Sequence, residues 1–124
     1  MIEKELVIKV VAMPADTNPD GNMFGGWIIS QMDLAAYLFA RKYARSNVVT
    51  VAVDNIVFHR PMFVGDCLLC YVTIEKTGRT SLTVKVDAMV ERMNSHETEQ
   101  VTEGRFVFVA IDADRKPIAL QPGK

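Results

Sequence analysis

The chain has 124 residues, 14 Lys and Arg against 15 Asp and Glu, a net charge of −1 and 49% hydrophobic residues. That length supports one domain with one sizeable core, burying roughly two-thirds of the surface its unfolded chain exposes. The charges nearly cancel and are spread along the sequence, which speaks against nucleic acid as a partner and against an acidic disordered tail. The N-terminal MIEKELVIKVVAMP mixes acids with bases and interrupts its apolar run at Lys9, and no later run reaches spanning length. A cytoplasmic, soluble protein with no membrane span is therefore expected.

Leu6 to Val11 is short and β-branched, and reads as a first strand. A loop follows that gathers Pro14, Asp16, Asn18, Pro19, Asp20, Gly21 and Asn22, residues that fix or permit turn conformations and offer short side-chain oxygens to a helix start. A helix is expected from Gly25 to about Ala44, with Arg41, Lys42 and Arg45 at the end where its dipole favours cations. Gly25 and Gly26 have no Cβ, so a ligand can come close to first-turn amides that lack intrahelical acceptors. Trp27, Ile28, Ile29, Met32, Leu34, Ala35, Ala36, Leu38 and Phe39 are apolar around most of the circumference, which marks a helix buried on all sides. Asp33 stands among them, a lone acid that needs a reason.

The remainder reads as strands. Val48 to Phe58 and Asp66 to Lys76 are β-branched runs bounded by turns, and Ser81 to Met93 alternates as a half-buried strand. In that segment Leu82, Val84, Val86, Ala88 and Val90 share the inner face. Phe106 to Ile111 closes the series, Lys76 to Arg79 is a hairpin turn, and the tail from about Arg115 is expected to be loose. Cys67 and Cys70, three apart on a strand, point to opposite faces and act as small apolar residues, and His59 and His96 have no partners at metal-ligand spacing. Strand, long helix, then four strands joined by short turns favours an α+β domain spanning residues 1–124, an antiparallel sheet curled around one central helix.

Four stretches carry a more specific signal: PADTNPDGNMFGGWIISQMD, VVTVAVDNIVFHRPMFVGD, KTGRTS and FVFVAID. In this order and spacing they resemble the hotdog-fold acyl-CoA thioesterases, in particular the small bacterial YciA-type group, over nearly the whole chain. The resemblance implies a hotdog fold and hydrolysis of acyl-CoA to free CoA and a carboxylic acid, with no metal and no cofactor beyond the CoA carried by the substrate. It makes Asp33 the essential carboxylate, with Asn18 working opposite it. Thioester hydrolysis needs an activated water and a stabilised oxyanion. Asp33 suits the base, Gly26 N–H the oxyanion, and the Asn18 amide either the oxyanion or the water; direct attack by Asp33 through a mixed anhydride is equally open. The resemblance further implies that a loop and helix start of one subunit face the acid of another, so that a dimer is the minimum unit and a hexamer, a trimer of dimers, the expected assembly. Asp54 and Asn55 face either a subunit contact or the ligand.

CoA phosphates call for donors near the site mouth. Arg79, Thr80 and Ser81, following the hairpin Gly78, are the first choice for these, and Arg60 beside Pro61 comes second; Gly25 at the helix start is a further substrate-binding candidate. Two rivals are an acyl-CoA-binding sensor without chemistry, which gains nothing from a buried carboxylate, and a hotdog dehydratase, which calls for a helix His that this chain lacks.

Overall fold

A computed structural model describes residues 4–120. Its elements are β1 (Glu5–Val11), α1 (Gly25–Ala44), β2 (Asn47–Phe58), β3 (Cys67–Thr77), β4 (Ser81–Glu91) and β5 (Thr98–Ile111), with a single 3₁₀ turn at Pro14–Asp16 before the helix. The strands form one antiparallel sheet in the order β1-β3-β4-β5-β2, so β1 and β2 are its edges. Among the described residues no helix is long and apolar enough to cross a membrane.

The helix buries Ile28, Met32, Ala36, Ala40 and Ala44, one residue every four positions, with Ala35 beside them. An i, i+4 row lies along one side of a helix, and the alanines let that side come close to the sheet. Opposite it stand Leu68, Cys70, Val72, Val84, Val86, Val90, Phe106 and Phe108, all fully buried. α1 touches all five strands, so the sheet wraps around it as expected. Each large apolar side chain moved out of water contributes roughly 1.5–3 kcal/mol before conformational entropy is counted.

Four expectations need correction. The helix is not covered on all sides within one chain: Leu34 and Leu38 are 47% and 42% exposed, because β2 is an edge strand with no neighbour beyond it among the described residues. β4 is central, and its outer face is buried as well, at Thr83 and Asp87; Asp87 is satisfied by Gln100 Nε2 at 2.9 Å and by Lys4 and Lys85. β5 begins at Thr98, eight residues before the expected Phe106, since TEQVTEGR pairs with β4, with one register shift at Val101. The tail is docked through Leu120: Ile118 N–H donates to Ala110 O and Leu120 N–H to Arg79 O, with both side chains packed on the core. Residues 121–124 lie outside the described ones.

Candidate active site

The loop before α1 is built by its turn residues. Asn18 N–H donates to Asn22 O at 2.7 Å, Gly21 N–H donates to Asn18 O, and Gly21 takes φ +87°, a conformation open to glycine. The Asn18 side chain closes this loop on itself. Its Oδ1 accepts the backbone N–H of Asp20 at 2.9 Å and of Asn22 at 3.1 Å, and those two donors fix the amide's orientation. Nδ2 is then left as a donor without a partner among the described residues. Asn18 is therefore placed to give hydrogen bonds, to an oxyanion or to a water lone pair.

The helix start is equally specific. Phe24 occupies the N-cap in an extended conformation and makes no side-chain cap, unlike the Ser, Thr, Asp or Asn usual there. Trp27 and Ile28 N–H groups reach back to Phe24 O, whereas those of Gly25 and Gly26 have no acceptor among the described residues. The two glycines serve different ends. A Cβ on Gly25 would stand 3.0 Å from the tip of the Phe58 ring, whereas one on Gly26 would meet nothing within 4 Å. Gly25 thus lets Phe58 pack against the helix start, and Gly26 leaves its own surroundings open.

Asn18, Gly25 and Arg60 line one cleft of about 410 Å³, together with Asn22, Met23, Ile28, Phe58, His59, Pro61 and Met62. Gly26 lies one residue along the helix and is exposed. The Arg60 guanidinium is already engaged, donating to Gln100 O at 3.1 Å and pairing with Glu99 at 3.4 Å. At the rim, His59 Nε2 lies 2.8 Å from Glu103 Oε2; that hydrogen bond first, and Lys85 after it, hold the Glu103 carboxyl below the usual carboxylate range. A larger hollow of about 580 Å³ at the other end of α1 collects Arg41, Lys42 and Arg45 but has no acid and no uncapped helix start.

Asp33 lies elsewhere. It is half-buried, about 10 Å of helix rise beyond Gly26, and its Oδ1 accepts the Thr50 hydroxyl at 3.1 Å. Thr50 was not singled out in the sequence: it is one β-branched residue in a β-branched run, and only the fold carries it across to the helix. Around this pair Leu34, Leu38, Val51 and Val53 are all more than 40% exposed. Arg79, Thr80 and Ser81 do not join the cleft. Their turn lies at the Thr50 level of the sheet, since Leu82 pairs with Phe108 and Phe108 with Thr50. Asp54 and Asn55 are exposed on β2, Asn55 at φ +54° within a bulge.

Cys67 and Cys70 are both unpaired, and burial pushes the Cys70 thiol up to about 12. Among the described residues no three His, Cys, Asp or Glu side chains gather at metal-ligand distances.

Comparison with known proteins assigns the chain. A profile described as the thioesterase superfamily matches residues 20–95. An uncharacterized acyl-CoA thioester hydrolase of Zymomonas mobilis is 48% identical over 118 residues, covering 95% of this chain and 79% of the relative. The acyl-CoA thioester hydrolase YciA of Salmonella typhimurium is 43% identical over 116 residues, covering 91% and 87%. The crystal structure of a hexameric thioesterase from Yersinia pestis superposes with a TM-score of 0.91 at 42% identity, covering 94% of this chain and 96% of the other. On these matches and on its one-helix, five-strand architecture, the chain belongs to the hotdog thioesterase superfamily and, within it, to the YciA-type acyl-CoA thioester hydrolases.

Proposed function

We propose that the protein hydrolyses acyl-CoA thioesters at a site completed by two chains. One observation carries the chemical reading: an uncapped helix start, with Gly26 N–H unpartnered among the described residues, near an Asn18 amide whose oxygen is committed and whose Nδ2 donor has no partner among them. Two such donors are what a thioester carbonyl needs as it becomes an oxyanion. Asp33, oriented by Thr50, takes a proton from the attacking water as the water oxygen bonds to the carbonyl carbon; the oxyanion then re-forms the carbonyl, the C–S bond breaks, and the sulfur takes the proton from Asp33 to leave as the CoA thiol. Direct attack by Asp33 would use the same donors and pass through a mixed anhydride. Single-turnover hydrolysis in heavy-oxygen water separates the routes, since only the anhydride route can leave label in Asp33.

The two-chain reading is supported by the exposed apolar patch around Asp33 and by the unpaired β2 edge, features that a lone soluble domain rarely leaves open. A second copy laid there brings its Asn18 and Gly26 to this chain's Asp33. Arg79, Thr80 and Ser81, with Gly25 and Arg60 on the loop side, are the proposed contacts to substrate and CoA phosphates. The proposed assembly is a trimer of such dimers, as the Yersinia thioesterase is hexameric. The proposed location is the cytoplasm, in keeping with two unpaired cysteines. No metal or separate cofactor enters this scheme.

Purified protein is expected to release free thiol from a panel of acyl-CoAs. Tight binding without thiol release across short, medium and long chains would instead make it a sensor. Light scattering is expected to show a hexamer, and a stable monomer would remove the shared site.

A further inference from the structure

Pro61 and Met62 line the cleft, and the segment they open, Pro61 to Asp66, has its geometry set from one side. Asp66 N–H donates to Phe63 O at 3.0 Å with Gly65 at φ +93°, a tight turn that needs glycine at its third position. The Asp66 carboxylate lies inside this turn, and its residue is 4% exposed. Its Oδ2 accepts Phe63 N–H at 3.0 Å and the Arg92 guanidinium at 2.8 Å; its Oδ1 accepts Met93 N–H at 3.1 Å. The same Arg92 nitrogen donates to Pro61 O at 3.0 Å, and its other terminal nitrogen pairs with Glu99 at 3.1 Å. One guanidinium from the end of β4 therefore grips both ends of a six-residue loop.

That loop in turn seats the donors. Met23 N–H bonds to Met62 O at 2.8 Å, and Asn22 bridges to Phe63. Met23 directly precedes the helix N-cap, and Asn22 supplies one of the two N–H groups that orient Asn18 Oδ1. The order of contact runs from Arg92 and Asp66 to Pro61–Phe63, then to Asn22 and Met23, and from there to the Asn18 amide and the Gly26 N–H. We infer that Asp66 and Arg92 are positioning residues for thioester hydrolysis, the ion pair of buried Asp66 with half-buried Arg92 fixing the loop strip on which both oxyanion donors rest. The inference rests on the assignment of Asn18 and Gly26 above.

Steady-state kinetics on the assembled protein test it. Arg92→Met is expected to lower kcat per folded site by roughly 10- to 100-fold, the scale of a displacement of about 1 Å in a reacting group. KM and the affinity for free CoA are expected to stay within about threefold, since neither residue lies in the cleft. Arg92→Lys keeps the charge but cannot reach Asp66, Pro61 O and Glu99 together, and is expected to fall between wild type and Met. If Arg92→Met does not fold, Asp66→Asn, which keeps shape and an acceptor oxygen, carries the same test. Lys42→Met, which breaks only an exposed 3.6 Å pair with Glu5, is the comparator and is expected to keep kcat.

An Asn18→Ala background gives the readout that a merely structural role would not move. There the kcat loss from Arg92→Met is expected to shrink by at least about threefold, because coupled residues are not additive. Full multiplication of the two losses overturns the inference, as does a variant that yields less folded protein while keeping its kcat. If Asn18→Ala alone keeps wild-type kcat, the assignment of Asn18 fails and the inference falls with it. If Asn18→Ala is slow while the Asp66 and Arg92 variants turn over normally, the inference alone fails.

Discussion

Asn18 and the start of α1 are held by a closed set of backbone and side-chain bonds within one chain, down to both acceptor directions of the Asn18 oxygen. The Asp33 side chain has one hydrogen bond among the described residues, from Thr50, and an exposed apolar surround. On the proposed mechanism, the contrast teaches that the chain folds the oxyanion half to completion by itself and leaves the acid half for a second surface to finish. A group whose geometry must be accurate is fixed locally, whereas a carboxylate beside an uncovered patch gains its dry environment only on assembly.

The sharpest way to test this contrast is Asp33→Asn, for which kcat is expected to fall roughly 10²- to 10⁴-fold with the circular dichroism spectrum unchanged. A near-normal rate would leave the acid half without a role. Asn18→Ala is expected to cost about 10² to 10³ in kcat; a rise in KM alone would make Asn18 a binding or turn residue. Unfolding and refolding the two inactive proteins together then asks whether the halves belong to different chains. In a shared site, random reassortment into twofold dimers rebuilds about a quarter of the wild-type sites. No recovery would place both residues in one chain's site.

Thr50→Val should cost less, about 2- to 10-fold in kcat, the usual net worth of one hydrogen bond. An unchanged rate would show that assembly, not Thr50, orients Asp33. The smallest effect is expected at the rim of the cleft. The Glu103 carboxyl is held below its ordinary range by His59 and then Lys85, so its stabilising contribution is present above that range and is lost as pH falls through the lowered value. Glu103→Gln is expected to lower Tm by only about 1–3 °C near neutral pH, because the groups are partly exposed. The difference should vanish in acid, and a difference that persists there would have a source other than the charge.

What the sequence revealed followed physical range. The bounds of α1 were readable because its signals are local: a double glycine at the start, cations in the last turn and apolar residues every third or fourth position. Asn18, Gly25 and Arg60 line one cleft, brought together by the turn before the helix and the end of β2. Thr50 and the Asp66–Arg92 pair were not readable, since their partners lie 17 and 26 residues away and depend on strand register. The early start of β5 was hidden for another reason. Glu103 and Arg105 serve ion pairs on the outer face, and Gly104 is bare because Ile56 covers it, so the stretch lacks the apolar alternation of an ordinary strand.

Phe24 at the N-cap of α1 implies a conflict between durability and turnover. A Ser or Asp there would accept the Gly26 N–H and stabilise the helix by about 1 kcal/mol, as such caps commonly do. The same oxygen would then occupy the donor proposed for the thioester. A more heat-resistant Phe24→Asp protein with depressed kcat is therefore the expected trade, and a library selected only for thermal tolerance would drift toward it. On the proposed mechanism, the apolar residue at that position leaves the helix incomplete so that a substrate can finish it.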